Sequence, residues 1–240
     1  MLIIASGDMP LPAKERLSHE GDVLWLDPQP MVYDSIQCHP DIFFCPVDGS
    51  LVASPLIPWH WRDILESHGV NLVYGETVPT GKYPQTAGYN AVVTGTSLIH
   101  NRHFTDPSIK NLVADRQFIH VAQGYARCNL LPLGNNHFIT SDAGIGKALE
   151  KAEKEVLLVN PTDIVLSGHK HGFFGGAFGF RGKELFVCGS LDCFADGEKV
   201  RAFANRCGFT ITELCGGTLT DVGSIIFVES SMSGEAYPQL

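Results

Sequence analysis

The sequence predicts an α/β protein built as a ring of five pseudosymmetric units, an α/β propeller, and three observations carry that prediction. A helix, a short buried strand, a loop and a β-hairpin recur five times along the 240 residues. Helix starts fall near residues 12, 58, 106, 142 and 196, a mean spacing of about 46, inside the range of repeat arrays. The last hairpin has only one arm, Ser224 to Glu229, while the first strand, Leu2 to Ala5, has no partner, so the two chain ends complete each other. End-to-end closure removes the edges that each small sheet would otherwise expose. The competing architecture is an open α/β sheet with helices on both faces.

The helices carry the sharpest punctuation. Pro12 to Glu20 stops at Gly21, and Pro58 to His68 stops at Gly69. Asp106-Pro107 opens a helix to Asp115, Ser141-Asp142 opens one to Lys154, and Asp196 opens one to Cys207 ahead of Gly208. Proline in the first turn, Asp or Ser as N-cap and Gly beyond the end are what helix termini favour. A short apolar run follows each helix: Val23 to Leu26, Val70 to Tyr74, Gln117 to Val121, Val156 to Val159 and Phe209 to Leu214. Their brevity and their β-branched and aromatic content mark buried strands. Hairpins then occupy 41–53 around Asp48-Gly49, 89–99, 125–140 around Gly134-Asn135-Asn136, and 173–189 around Arg181-Gly182-Lys183.

Composition narrows the partners. Seventeen Lys and Arg against 26 Asp and Glu leave a net charge of −9, which argues against nucleic acid and against an anionic membrane surface. No apolar run approaches the ~20 residues that span a bilayer. Met1-Leu2-Ile3-Ile4-Ala5-Ser6-Gly7-Asp8 lacks the basic start of a signal peptide. Seven cysteines without scaffold spacing read as reduced thiols. The expectation is a cytoplasmic protein of one domain, residues 1–240, with a loose tail over 230–240.

In such a ring the loops that open the hairpins point to the central axis. They carry Cys38-His39-Pro40-Asp41, Gly88-Tyr89-Asn90, Gln123-Gly124-Tyr125-Ala126-Arg127-Cys128, Gly168-His169-Lys170-His171-Gly172 and Thr220-Asp221-Val222-Gly223-Ser224. Polar groups from five segments meeting in one concave place describe a small-molecule site. The ligand-binding candidates are His39, Asp41, Tyr89, Asn90, Gln123, Tyr125, Arg127, His169 and Ser224. Each has a plainer reading: His39 and Asp41 as turn caps, Tyr125 as a core aromatic. A reactive cysteine needs a neighbouring cation, which favours Cys128 beside Arg127 and then Cys38 beside His39. Cys45, Cys188, Cys193 and Cys207 lie in apolar runs or on a helix, where inert thiols are the rule.

Four segments carry a resemblance: 39–45, His-Pro-Asp-Ile-Phe-Phe-Cys; 123–128, Gln-Gly-Tyr-Ala-Arg-Cys; 171–177, His-Gly-Phe-Phe-Gly-Gly-Ala; and 221–227, Asp-Val-Gly-Ser-Ile-Ile-Phe. With them the chain resembles the guanidino-modifying, or pentein, superfamily of five-bladed α/β propellers, and within it an uncharacterised bacterial branch. The resemblance implies a Cys nucleophile at the start of the last hairpin, a His on the preceding unit's loop, and carboxylates that grip a guanidinium. By position, His171 falls where the family's general acid/base stands, and Gln123-Gly124 falls near a family carboxylate. The last hairpin has no cysteine, and the nearest upstream thiol is Cys215. The catalytic candidates are therefore His171 as proton shuttle, Cys128 as a displaced nucleophile and Asp221, with Asp41 as the alternative, as the grip on the cation.

Two further patterns need weighing. Gly168-His169-Lys170-His171 and Gly134-Asn135-Asn136-His137 resemble blocks of calcineurin-like metallophosphoesterases, which use two metal ions. Where that family needs an early Asp-x-His, this chain reads Asp8-Met9-Pro10, and two histidines do not close a metal site. No metal and no cofactor are expected. The glycine-rich stretch Gly172 to Gly179 lacks a P-loop ending, so it reads as close strand packing. Three functions compete: an enzyme acting on a guanidino or amidino small molecule, a binding relative without the nucleophile, and a metallophosphoesterase.

Overall fold

A computed structural model of the chain describes residues 1–229. The expected tail, 230–240, lies outside them.

The chain begins with β1 (Leu2–Ser6), α1 (Leu11–Leu17) and β2 (Asp22–Leu26). A single helical turn α2 (Pro40–Phe43) leads into the hairpin β3 (Phe44–Val47) and β4 (Ser50–Ala53), then α3 (Trp59–Ser67) and β5 (Asn71–Tyr74). The next unit is β6 (Val92–Val93), β7 (Ser97–His100), α4 (Pro107–Leu112) and β8 (Gln117–His120). A second turn α5 (Ala126–Asn129) leads into β9 (Leu130–Pro132), β10 (His137–Thr140), α6 (Ala143–Lys151) and β11 (Glu155–Leu158). The last part holds β12 (Ile164–Val165), β13 (Phe178–Arg181), β14 (Glu184–Val187), α7 (Gly197–Arg206), β15 (Thr210–Glu213), β16 (Leu219–Thr220) and β17 (Ile226–Val228).

One topology repeats. The three-stranded sheets β3-β4-β5, β6-β7-β8, β9-β10-β11, β13-β14-β15 and β17-β1-β2 each join an antiparallel pair to a parallel strand reached through a helix. The two chain ends share the last of these sheets, with Leu2 opposite Val228 and Ile4 opposite Ile226. β1 is thus a central strand, flanked on its other side by β2 in parallel register from Leu2↔Asp22 to Ser6↔Leu26. Its side chains alternate between two buried clusters: Leu2 and Ile4 pack with Leu24, Ile42 and Phe43, whereas Ile3 and Ala5 pack with Met9, Leu17 and Phe186.

Local chemistry explains the boundaries. Asp48 and Gly49 hold φ of 47° and 75°, the paired left-handed conformation of a two-residue hairpin turn. Asp142 caps α6 by accepting from the Gly144 and Ile145 amides at 2.7 and 2.8 Å, and Asp106 caps α4 by accepting from Ser108 at 2.8 Å. Three features differ from the sequence reading. The segments around Asp41 and Cys128 wind into α2 and α5 instead of open loops, and Pro40 at the first helical position presets the former. The first arm of the fourth hairpin starts at Phe178 and not at Phe173, because Phe173 to Ala177, with a 3₁₀ turn over Gly175–Ala177, precede it. A parallel pair, β12 with β16, joins Ile164 to Leu219 and Val165 to Thr220; two residues are too short to carry a period. Among the described residues no helix is long and apolar enough to cross a membrane.

Candidate functional site

A buried polar network gathers where α2, α5, the 173–177 segment and the start of the last hairpin meet. Asp41, Asn90, Cys128, Asp221 and Ser224 are each no more than 4% exposed. Asp41 Oδ2 accepts from the Ser224 hydroxyl at 2.8 Å and from the Cys128 thiol at 3.0 Å. The Asn90 amide donates to Cys128 Sγ at 3.1 Å, while its Oδ1 accepts the Cys128 backbone N–H at 3.1 Å. Arg127, also buried, donates to the carbonyls of Gly175 and Phe178 at 2.9 and 3.1 Å. Asp221 is seated by backbone donors, Phe173 N–H at 2.9 Å and Gly223 N–H at 3.1 Å. That seat explains the glycine-rich stretch, because a Cβ on Gly176 would fall 1.9 Å from Asp221 Oδ1. Ser224 holds φ of 70°, a left-handed conformation costly for a non-glycine residue, which turns its hydroxyl onto Asp41.

Beside the network opens a cavity of about 800 Å³, with Tyr33, Asp34, Ser35, His39, Asp8 and Asp221 on its wall. The lining carries three carboxylates and no Lys or Arg. Asp8 and Asp34 are exposed, whereas Asp221 and His39 are buried at the base. His39 Nδ1 and Asp41 Oδ1 are buried and have no hydrogen-bond partner among the described residues.

Burial sets the charge states here. It pushes the Asp221 carboxyl above its ordinary value, aided by the Asp41 charge and opposed by His39 and by the two backbone donors. The Cys128 thiol is pushed well up, first by burial and then by Asp41 and Asp221. Cys128 is therefore a proton donor to Asp41, held far from the thiolate that nucleophilic attack requires. Cys38 is likewise pushed up to about 12 by burial and by Asp8. Burial lowers Arg127, with Asp41 the leading opposing charge.

The structure brings Asp41, Asn90, Arg127, Cys128, Asp221 and Ser224 together at or beneath the cavity base, with His39 on its wall. Of the other candidates His169 also lines the cavity, and the rest lie elsewhere. Tyr89 is fully buried with Cys45, Val47 and Val52, and its hydroxyl is used by the Thr77 carbonyl at 2.6 Å. Tyr125 joins its hydroxyl to those of Tyr33 and Thr86 in the core. Gln123 Oε1 accepts the Tyr125 N–H at 3.1 Å and so closes a turn. His169 is exposed at the rim, 2.8 Å from the Ser35 hydroxyl. His171 is half-buried, with Nδ1 2.9 Å from the Gly172 carbonyl and its ring against Phe173. Among the described residues no three His, Cys, Asp or Glu are arranged to hold a metal ion. Sequence reasoning missed Asp8 and Asp34. Asp8 follows β1 at the carboxyl end, where α/β sheets commonly bind ligands, and Asp34 opens a 3₁₀ turn in the loop after β2.

A model of the family of unknown function DUF6873 matches residues 4–226. The search of curated proteins found no match. Solved structures align over most of the chain. An agmatine deiminase from C. jejuni is 11% identical with a TM-score of 0.57, covering 89% of this chain and 87% of its own. An amidinotransferase from Microseira wollei in the saxitoxin biosynthetic pathway is 12% identical with a TM-score of 0.55, over 98% and 96%. A mutant DDAH from Pseudomonas aeruginosa, complexed with citrulline, is 10% identical with a TM-score of 0.51, over 88% and 91%. At these identities the likeness is one of fold. That fold is the pentein α/β fold, in keeping with the resemblance carried by the motifs.

Proposed function

We propose that this chain, which belongs to the family of unknown function DUF6873, binds a small guanidino or amidino cation in the cavity walled by Asp8, Asp34 and Asp221. In this reading the five units form one closed domain, and the cavity opens near its axis. The observation that carries the proposal is the lining: three carboxylates border about 800 Å³ with no Lys or Arg among the described lining residues. Exposed Asp8 and Asp34 draw a cation toward the opening, and the backbone-seated Asp221 accepts its N–H donors. The reading is one of recognition without thiol chemistry. Cys128 and Cys38 are held as thiols, and the opening of the last hairpin offers Ser224 in place of a cysteine.

A second reading, turnover of the same cation, is favoured by one observation. His39 lines the cavity beside Asp221, which suits a proton shuttle better than the position of His171, outside the lining. Thermal shift with agmatine, arginine, methylated arginines and creatine, against citrulline and urea as neutral controls, tests the recognition. The cations should stabilise the protein. Asp221→Asn should weaken that binding by about 1.5–3 kcal/mol, the worth of a hydrogen bond to a charged group. Stabilisation by a neutral or anionic compound alone overturns the proposal. Release of ammonia or urea, lost in His39→Ala, would select turnover over recognition.

A further inference from the structure

The cavity leaves one pair of sulfurs unused. Cys188 follows β14 and Cys215 lies two residues beyond β15. These strands run in parallel register to Val187↔Glu213, and the register continues through Leu214 N–H to the Val187 carbonyl at 2.9 Å. Continued one step, that register sets Cys188 opposite Leu214 and Cys215 opposite Gly189, so the two cysteines are diagonal neighbours on adjacent segments, roughly 6 Å apart at Cα from strand spacing and rise, within the span that a disulfide bridges. Both belong to the apolar cluster formed with Ile3, Phe186 and Leu214. Cys188 is fully buried and Cys215 is half-exposed, next to exposed Gly216 and Gly217.

Within that cluster the Cys188 side chain and the Gly189 backbone are the donors nearest in influence to the Cys215 sulfur. These two donors stabilise negative charge on Cys215 and lower its pKa, and they hold the Cys188 proton in place. Cys215 lines neither main cavity, so its activation is separate from the site described above.

We propose that Cys188 and Cys215 form a peroxide-oxidisable dithiol, a reactive modification site distinct from the ligand cavity. The Cys215 thiolate attacks one oxygen of hydrogen peroxide, breaking the O–O bond, forming Cys215 sulfenic acid and releasing hydroxide. The Cys188 sulfur then displaces the hydroxyl group, forming the S–S bond, and its proton leaves with that group as water. Overall two thiols are oxidised, and the peroxide is reduced to two waters. Cys215 is the half-exposed attacking thiol and Cys188 the buried resolving one, the arrangement expected of a redox-sensitive pair.

The test is titration of the reduced, full-length protein with hydrogen peroxide at pH 7.5, read by intact mass and peptide mapping. The exposed Cys193 serves as internal reference. The expected product has lost two hydrogens, carries a Cys188–Cys215 linked peptide and is restored by dithiothreitol. Cys215 should react with an alkylating agent ahead of Cys193, since its neighbouring donors favour the thiolate. In Cys188→Ser the resolving thiol is gone, and a dimedone adduct should accumulate on Cys215. Oxidation of Cys193 ahead of Cys215 overturns the proposal. So does a Cys215 sulfenic or sulfinic acid in the wild type that never joins Cys188.

Discussion

Replacing Asp41 by Ala strands two buried donors at once. Its Oδ2 holds the Ser224 hydroxyl at 2.8 Å and the Cys128 thiol at 3.0 Å, and neither residue is more than 4% exposed. An unsatisfied buried donor costs about 1–3 kcal/mol, and a thiol, as a weak donor, falls at the low end. The fallback for Ser224 is the Gly175 carbonyl at 3.5 Å, too long to recover much. Loss of the carboxylate whose charge most supports buried Arg127 adds to the penalty. Relief comes from removing a charge whose Oδ1 has no partner. The expected net destabilisation is about 2–4 kcal/mol, measured by urea unfolding with an unchanged m-value. Ser224→Ala should cost about 1–2 kcal/mol, and the double variant should cost less than the sum of the two. If the two changes add within about 0.3 kcal/mol, the Ser224–Asp41 hydrogen bond does not hold this site together.

Two further outcomes follow from burial and charge. Deleting residues 1–6 removes Leu2, Ile3 and Ile4, each no more than 1% exposed, and leaves both β17 and β2 without their shared neighbour. Three such side chains are worth roughly 5–9 kcal/mol, comparable to the whole stability of a domain, so a truncated protein that stays soluble and melts cooperatively would contradict the pairing of the chain ends. The Asp221 carboxyl is held above its ordinary value, so the folded protein binds that proton more tightly than the unfolded chain does. Its contribution is full below the ordinary value of 3.8 and is lost as pH rises through the folded value. The stability of the wild type relative to Asp221→Asn should therefore fall as pH rises above 3.8, and a flat difference by urea unfolding would refute the burial argument.

Elements with a chemical marker at each end were legible. α6 begins at the Asp142 cap, the first hairpin turns at Asp48-Gly49, and the unpaired first strand does meet Ile226 to Val228. What the sequence concealed were contacts between distant segments. β12 and β16 are two residues each and exist because their partner is there, so no local pattern marks them. Tyr89 and Tyr125 share loops with network residues, yet their hydroxyls satisfy Thr77, Tyr33 and Thr86 inside the core. The fourth hairpin reads from Phe173 in the sequence, but its first strand starts at Phe178, after a turn in which a Cβ at 175 or 176 would meet the Arg127 carbonyl or Asp221. The union of Asp41 with Ser224 spans 183 residues of chain, and repeat position was the signal that found it.

The division of labour among the carboxylates bears on what the cavity recognises. Asp8 and Asp34 are exposed, so their field is screened within about 8–10 Å and attracts any cation without choosing among them. Asp221 differs. An ionised carboxylate offers about four lone-pair sites, and here the Phe173 and Gly223 N–H groups occupy two of them from fixed backbone positions. The remaining acceptor capacity is held in one orientation, since Gly172 and Gly176 pack against the side chain and leave it no room to turn. A planar group with paired N–H donors matches such a fixed carboxylate, whereas a single ammonium satisfies only part of it. On the proposed reading, Asp221→Asn should therefore erase the preference for agmatine over a primary amine of similar length, such as cadaverine. Neutralising Asp8 should weaken both ligands alike and reduce their salt dependence. Equal loss of both ligands in Asp221→Asn would mean that the carboxylate supplies charge alone, and the geometric argument for a guanidino ligand would fail.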